Sequence, residues 1–179
     1  LQSRVAGISA ADLPRFWPQG VKDDTREWIE ANIREGRIND GLVEASGSAR
    51  LDGSEDIHLE SLRGEFSYTG LQVTYFAKLP PVRGIRGRGT FDQTAMNFTV
   101  EQGDLNGLRV EEGVVHIGDL GKPIEPLSVD AVVKGQVARV LEVLDTPPLR
   151  FVSAVGISPG AVAGVAASRV AFRFPLIAA

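Results

Sequence analysis

The feature that most limits how this chain can fold is a switch to period-two alternation running from Ile38 to Asp130. Successive strand residues point to opposite faces, so alternating apolar and polar side chains describe half-buried strands. Met96, Phe98 and Val100 alternate with Asn97, Thr99 and Glu101, while Leu127, Val129, Ala131 and Val133 alternate with Ser128, Asp130 and Val132. Earlier runs set Ile57, Leu59 and Ser61 against His58 and Glu60, then bring Phe66 with Tyr68, then Leu71 and Val73 with Tyr75. Breaks are read at Asp52-Gly53, Thr69-Gly70, Leu79-Pro80-Pro81 and Glu112-Gly113, with Leu105 to Val110 as one strand. Short runs joined by such turns favour antiparallel pairing in sequence order. The expected fold is mainly β with a few short α-helices: a curved antiparallel β-meander, with the helices packed on it or at its ends.

Two stretches carry helical spacing instead. In the first, expected over 21–36, Trp17-Pro18 supplies an extended lead-in and Asp23 or Asp24 the cap. Glu27 suits the first turn, Trp28, Ile29 and Ile33 form the apolar positions, and Gly36 terminates the run. In the second, expected over 135–145, Val137, Val140, Leu141 and Leu144 fall at i, i+3, i+4 and i+7 before Pro147-Pro148. A helical turn at Phe151–Val155 is expected to end at Ser158-Pro159-Gly160. A strand over 164–177 follows, with Val165, Ala167, Arg169 and Ala171 on one face and Ala166, Val170, Phe172 and Phe174 on the other. Residues 1–179 thus read as one segment with its meander at 38–134. Alternation at both ends, Leu1–Ile8 and Arg169–Phe174, leads us to expect a piece of a longer protein.

Composition excludes several classes. With 43% hydrophobic residues the 179-residue chain can bury a core and is not disordered. Its 23 Asp and Glu outweigh 19 Lys and Arg, which disfavours binding to nucleic-acid phosphates. No Cys is present, so a disulfide scaffold, a thiolate zinc site and a Cys nucleophile are excluded. The longest uncharged stretch, Phe151–Ser168, is interrupted by Gly156, Pro159, Gly160 and Gly164, and no membrane span is expected.

Catalytic machinery is hard to assemble. The two histidines, His58 and His116, each lie inside a strand pattern, and no Gly-x-Ser-x-Gly elbow occurs. The carboxylate pairs Asp23-Asp24 and Glu111-Glu112 suit a helix cap and a strand whose neighbours point apart, respectively, better than a hydrolase cleft. No catalytic residue, metal ligand or cofactor is assigned, and the chain is expected not to be an enzyme. The run Arg83-Gly84-Ile85-Arg86-Gly87-Arg88-Gly89 lacks the Lys-Ser/Thr end of a P-loop. Arg83, Arg86 and Arg88 are weak candidates for contact with lipid headgroups or a partner, set against a solvated strand face.

Apolar side chains recur on one face of successive strands: Phe66, Tyr68, Leu71, Val73, Tyr75, Met96, Phe98, Val100, Phe172 and Phe174. Such a face must be covered. Helices that cover all of it make a plain core; any remainder is an open apolar groove suited to acyl chains.

The order of features resembles the central region of AsmA-like bacterial envelope proteins, in the YhdP branch. Leu13-Pro14-Arg15-Phe16-Trp17-Pro18-Gln19-Gly20, Thr25-Arg26-Glu27-Trp28-Ile29 and Asn32-Ile33-Arg34-Glu35-Gly36-Arg37-Ile38 carry the likeness. So do Tyr75–Phe91, with Leu79-Pro80-Pro81 and the Arg-Gly run to Asp92, and the ending Gly164–Leu176. The resemblance implies a long protein anchored in the inner membrane, whose repeated β-modules form a groove through the periplasm for phospholipid moving between inner and outer membranes. Phospholipid acyl chains, neighbouring modules of the same chain and envelope proteins are the implied partners, without catalytic residues. The alternative is a structural or assembly module of the cell envelope that binds no lipid.

Overall fold

The computed structural model describes residues 1–16, 23–49, 57–75, 78–147 and 149–176. The expected Trp17-Pro18 lead-in, the Asp52-Gly53 turn, Pro148 and the strand end at Ile177 lie outside these residues, as do the side chains of Asp23, Asp24 and Phe174.

The alternating runs form strands β1 (Gln2–Ser9), β2 (Ile33–Arg34), β3 (Arg37–Ala49), β4 (Ile57–Val73), β5 (Val82–Asp92), β6 (Met96–Leu105), β7 (Leu108–Ile117), β8 (Glu125–Gln136) and β9 (Val165–Leu176). They make one nine-stranded sheet in the order β1-β3-β4-β5-β6-β7-β8-β9, with β2 beside β4. All pairings are antiparallel. From β3 onward each strand pairs with the next in sequence, which is the expected meander. The sheet is curved and unclosed, with β1 and β9 at its two edges. A 3-10 helix (Ala10–Phe16), α1 (Asp23–Asn32), α2 (Val137–Asp145), α3 (Phe151–Ala154) and a 3-10 turn (Pro159–Ala161) complete the described elements.

Local backbone chemistry moves several expected boundaries. The first helix stops at Asn32 instead of Gly36, because Ile33 and Arg34 pair with Val73 and Gln72 of β4. Glu35 and Gly36 then take left-handed φ of 59° and 74°, and β3 resumes the pairing at Arg37. Gly70 faces this step with φ of 72°, and a Cβ at Gly36 would lie 2.6 Å from the Gly70 carbonyl carbon. β2 and β3 are thus two halves of one partner of β4, joined across a step that only glycine fits closely. The expected break at Thr69-Gly70 is therefore an irregularity inside the 17-residue β4. It also resets the alternation, so that Tyr68 and Leu71 both turn toward the core.

The expected break at Glu112-Gly113 lies inside β7, and Leu105 to Val110 is not one strand. The turn is Asn106-Gly107, with φ of 53° and 83°, which pairs Leu105 directly with Leu108. A two-residue hairpin of type I′ needs positive φ at both central positions, and Asn-Gly supplies it. Glu111 and Glu112 do not point to opposite faces as expected. The register shifts there, and both are exposed between buried Val110 and Gly113. The second helix begins at Val137, because Gly135 and Gln136 are still paired with Ala166 and Val165.

Two clusters form the core. Ala10, Ile38, Tyr68, Leu71 and Ile85 make one; Met96, Ile117, Leu120 and Leu127 make the other. Phe98 packs against both.

Candidate functional site

Following the hydrogen-bond register across the sheet exposes a division between its faces. One line runs Val5, Gly41, Phe66, Gly89, Phe98, Val115, Val129 and Phe172, one residue from each strand of the main path. The next runs Ile8, Ile38, Tyr68, Gly87, Val100, Gly113, Ala131 and Val170. Neither contains a charged residue, and the phenol of Tyr68 is the sole polar side chain in them. Between them on the opposite face lie residues such as Asp40, Ser67, Arg88, Thr99 and Asp130, with Arg169 in the row beyond the second line. Beyond the first line on that polar face, Glu65, Thr90, Asn97, His116, Ser128 and Arg173 follow one another strand to strand. The sheet therefore has an apolar front and a back whose Asp40 and Glu65 rows are polar apart from Ala6, Leu42, Val114 and Ala171.

Aromatic rings fill the centre of the front. The Phe66 centroid lies 6.1 Å from Tyr68, 6.3 Å from Phe91 and 6.0 Å from Phe98, and Tyr68 lies 6.3 Å from Phe98. Tilted and edge-on geometries at these distances are favourable for the rings' quadrupoles. The Tyr68 hydroxyl donates to the Thr99 carbonyl at 3.1 Å, which satisfies the polar atom within the apolar surround. Burial, reinforced by the charge of Glu101, raises the Tyr68 pKa well above its ordinary value.

These rings explain the Arg-Gly run. Gly89 sits opposite Phe66, Gly87 opposite Tyr68, and Gly64 opposite Phe91. A Cβ at Gly64 would lie 2.5 Å from the Phe91 ring, one at Gly87 would lie 2.7 Å from the Tyr68 hydroxyl, and one at Gly89 would overlap the Phe66 ring. Gly64 and Gly89 make room for aromatic rings from the neighbouring strand, while a Cβ at Gly87 would overlap the Thr99 carbonyl as well. The arginines alternate with them and so emerge on the back. There Arg86 and Arg88 lie 3.6 and 3.9 Å from Glu101, and Arg83 is paired in register with Asp104. A depression of about 660 Å³ beside them is lined by Arg83, Arg109, Glu101, Asp104 and Glu111. Its charges are mixed, so it presents no single-sign field to an ionic ligand.

A family profile described as YhdP protein matches residues 1–176. The chain belongs to the YhdP family. Membership suggests an envelope-associated protein of the AsmA-like kind. No curated protein and no solved structure matches the chain. Among the described residues, no helix is long and apolar enough to cross a membrane, and no group of three His, Asp or Glu side chains is placed to hold a metal. His58 is exposed, and His116 Nδ1 lies 2.7 Å from Asn97 Oδ1 on the back.

In this YhdP-family chain the front is covered unequally. Over β3–β5, Ala10 and Leu13 of the 3-10 helix and Ile33 of β2 close the first cluster. Tyr68, Leu71 and Met96 are only 2%, 6% and 6% exposed, so these three groove candidates are packed core. Phe66, Val73, Phe98 and Val100 are partly buried against the clusters, and Tyr75 lies beyond the end of β4, outside both. Burial pushes the Tyr75 phenol up to about 12. Phe172 is partly exposed opposite Val129, and Phe174 is paired in register with Leu127.

Register over β7, β8 and β9 adds residues beyond the ten groove candidates read from the sequence. Val115 and Val129 share the front with Phe172 and pack against the second cluster, and Ala131 and Val170 on the same face are likewise partly buried. Their small or β-branched side chains carried less signal than the aromatics, although the pattern Val129, Ala131, Val133 was itself visible. The structure thus brings Phe66, Tyr68 and Phe98 together on one face with Phe172 further along it in register, and none of the described side chains of β9 is buried.

Proposed function

We propose that this segment is a non-enzymatic, periplasmic stretch of a lipid-conducting groove, in which phospholipid acyl chains lie along the apolar front between inner and outer membranes. The observation that carries the reading is the front's continuity: apolar residues follow one another in register from β1 to β9 in an unclosed sheet. Each methylene kept from water is worth about 0.8 kcal/mol, so a continuous apolar track removes most of the cost of carrying a lipid through an aqueous space. Headgroup recognition is not required along such a track, and the polar back keeps the segment in water. The family's envelope association supports this setting.

The test is lipid content. The chain is purified from bacterial lysate containing membranes, and its bound phospholipid is counted by native mass spectrometry and extraction. The wild type is expected to carry phospholipid, and Val170→Glu to lose it while keeping the same circular dichroism. A folded wild type free of lipid sinks the reading.

A second reading, an envelope assembly module, has its own support. Phe151, Val155, Ile157 and Val165, in and around α3 and the following turn, are 59%, 69%, 46% and 71% exposed. Exposed apolar groups gathered in one excursion suit contact with another protein surface. Under this reading, charged substitutions at Phe151 and Val155 weaken association in the envelope and leave lipid content unchanged.

A further inference from the structure

We propose that α1 is a displaceable strap, seated on the apolar front where an acyl chain would otherwise lie, with Trp28 as the side chain an entering chain removes. This rests on the acyl-chain reading above. The helix is fastened at its C-terminal end on the β4 side: the Thr74 N–H donates to the Asn32 carbonyl at 2.9 Å, and Ile33 pairs with Val73. Trp28, however, packs against the second cluster, the one formed by Met96, Ile117, Leu120 and Leu127. A helix held at β4 therefore reaches over the front to close the β6–β8 side with one indole.

The seat is weak in two independent ways. Trp28 is only partly buried, Glu27 and Glu30 beside it are exposed, and Ile29 is the helix's buried aliphatic residue. In addition, Arg26 Nε is buried without a hydrogen-bond partner. A buried donor that leaves water and finds no acceptor opposes the seated state, and lifting the helix relieves it. A ligand moves such an equilibrium by its differential affinity for the two states. An acyl chain has that difference, because it needs the surface that Trp28 covers. The strap thus shields the front when no lipid is present and yields to a chain that buries more apolar area than one indole.

The chain has two tryptophans, so Trp17→Phe leaves Trp28 as the reporter. The full 179-residue chain is titrated with sonicated vesicles of phosphatidylethanolamine and phosphatidylglycerol, then re-isolated for phospholipid extraction. Trp28 emission is expected to move to longer wavelength in step with bound lipid, as the indole leaves the front for water. At sub-saturating lipid, Trp28→Ala should hold about threefold more than the wild type, and Trp28→Phe should return it to the wild-type level. Equal lipid in the wild type and a folded Trp28→Ala, or Trp28 emission that stays fixed or moves to shorter wavelength during uptake, overturns the strap and leaves the acyl-chain reading standing. Absence of lipid from every variant overturns both.

Discussion

The ring of Phe66 occupies the space that a side chain at Gly89 would need. The two residues are direct cross-strand partners in β4 and β5, and a Cβ at position 89 would meet ring carbons. Gly89→Ala is therefore expected to destabilise the fold by about 1–3 kcal/mol, the usual cost of overpacking. Phe66→Leu in the same chain should recover part of that loss. Urea unfolding of the two single variants and the double variant measures the coupling; strictly additive losses would show that the ring and the glycine do not compete for space.

A pair of glycines, Gly36 and Gly70, differs in kind. Gly36 and Gly70 both have left-handed φ, yet a Cβ at Gly36 would meet Gly70 backbone at 2.6 Å, whereas one at Gly70 has its nearest neighbour at 3.5 Å. Gly70→Ala should cost about 1–2 kcal/mol, the conformational term alone. Gly36→Ala should cost more, because backbone on both sides of the contact has no rotamer in which to escape. Thermal denaturation should rank Gly36→Ala below Gly70→Ala, and the reverse order would contradict the close approach.

The fold was legible in the alternation, and its exceptions fall where backbone conformation departs from the period. Strand faces could be read from Met96 to Val100 and from Leu127 to Val133 because both segments keep strict period two. The reading faltered at Gly70, where a shift in register lets Tyr68 and Leu71 share a face. It faltered again at Asn106-Gly107, where apolar Leu105 and Leu108 flank the turn and make two strands look like one. The cover on the front was the least legible part. Leu13-Pro14 gave no helical period, so the 3-10 helix that buries Tyr68 and Leu71 was not anticipated. Aromatic residues marked the centre of the front, while the smaller Val115, Ala131 and Val170 near β9 became visible through register.

Alkaline titration probes the front from within. Tyr68 and Tyr75 are the chain's two tyrosines, and burial raises both pKa values, Tyr75 from 10.0 to about 12. Their unfolded values are lower than their folded ones, so the neutral phenols contribute stability fully present below pH 10. That contribution is lost as pH rises through the folded values. Tyrosinate absorbance should stay low at pH 10–11 and then rise together with loss of the circular dichroism signal. Ionisation near pH 10 in the folded chain would show that these phenols lie in water.

At the β9 edge the sign is opposite. Asp130 accepts two hydrogen bonds from Arg169, at 2.8 and 2.7 Å, and these hold its carboxyl below the ordinary value. Its contribution is complete above the unfolded carboxyl's value of about 3.9 and is lost as pH falls through the lower folded value. The pair is exposed, so the effect on stability is small. NMR titration of the Asp130 carboxyl should give a midpoint below that of an isolated aspartate, and Arg169→Gln should return it to the ordinary range. An unchanged midpoint in the variant would remove Arg169 as the cause.

The central claim is that acyl chains touch the front of the sheet and not its back, and β9 offers the most direct test. A photo-crosslinking amino acid is placed singly at 167, 168, 169, 170, 171 and 172 in the protein in living cells, and covalent adducts are analysed for phospholipid. Ser168, Val170 and Phe172 continue the front, while Ala167, Arg169 and Ala171 lie on the back. The account predicts phospholipid adducts at 168, 170 and 172 and their absence at 167, 169 and 171. Adducts without that alternation, or protein adducts alone at the front positions, would contradict it.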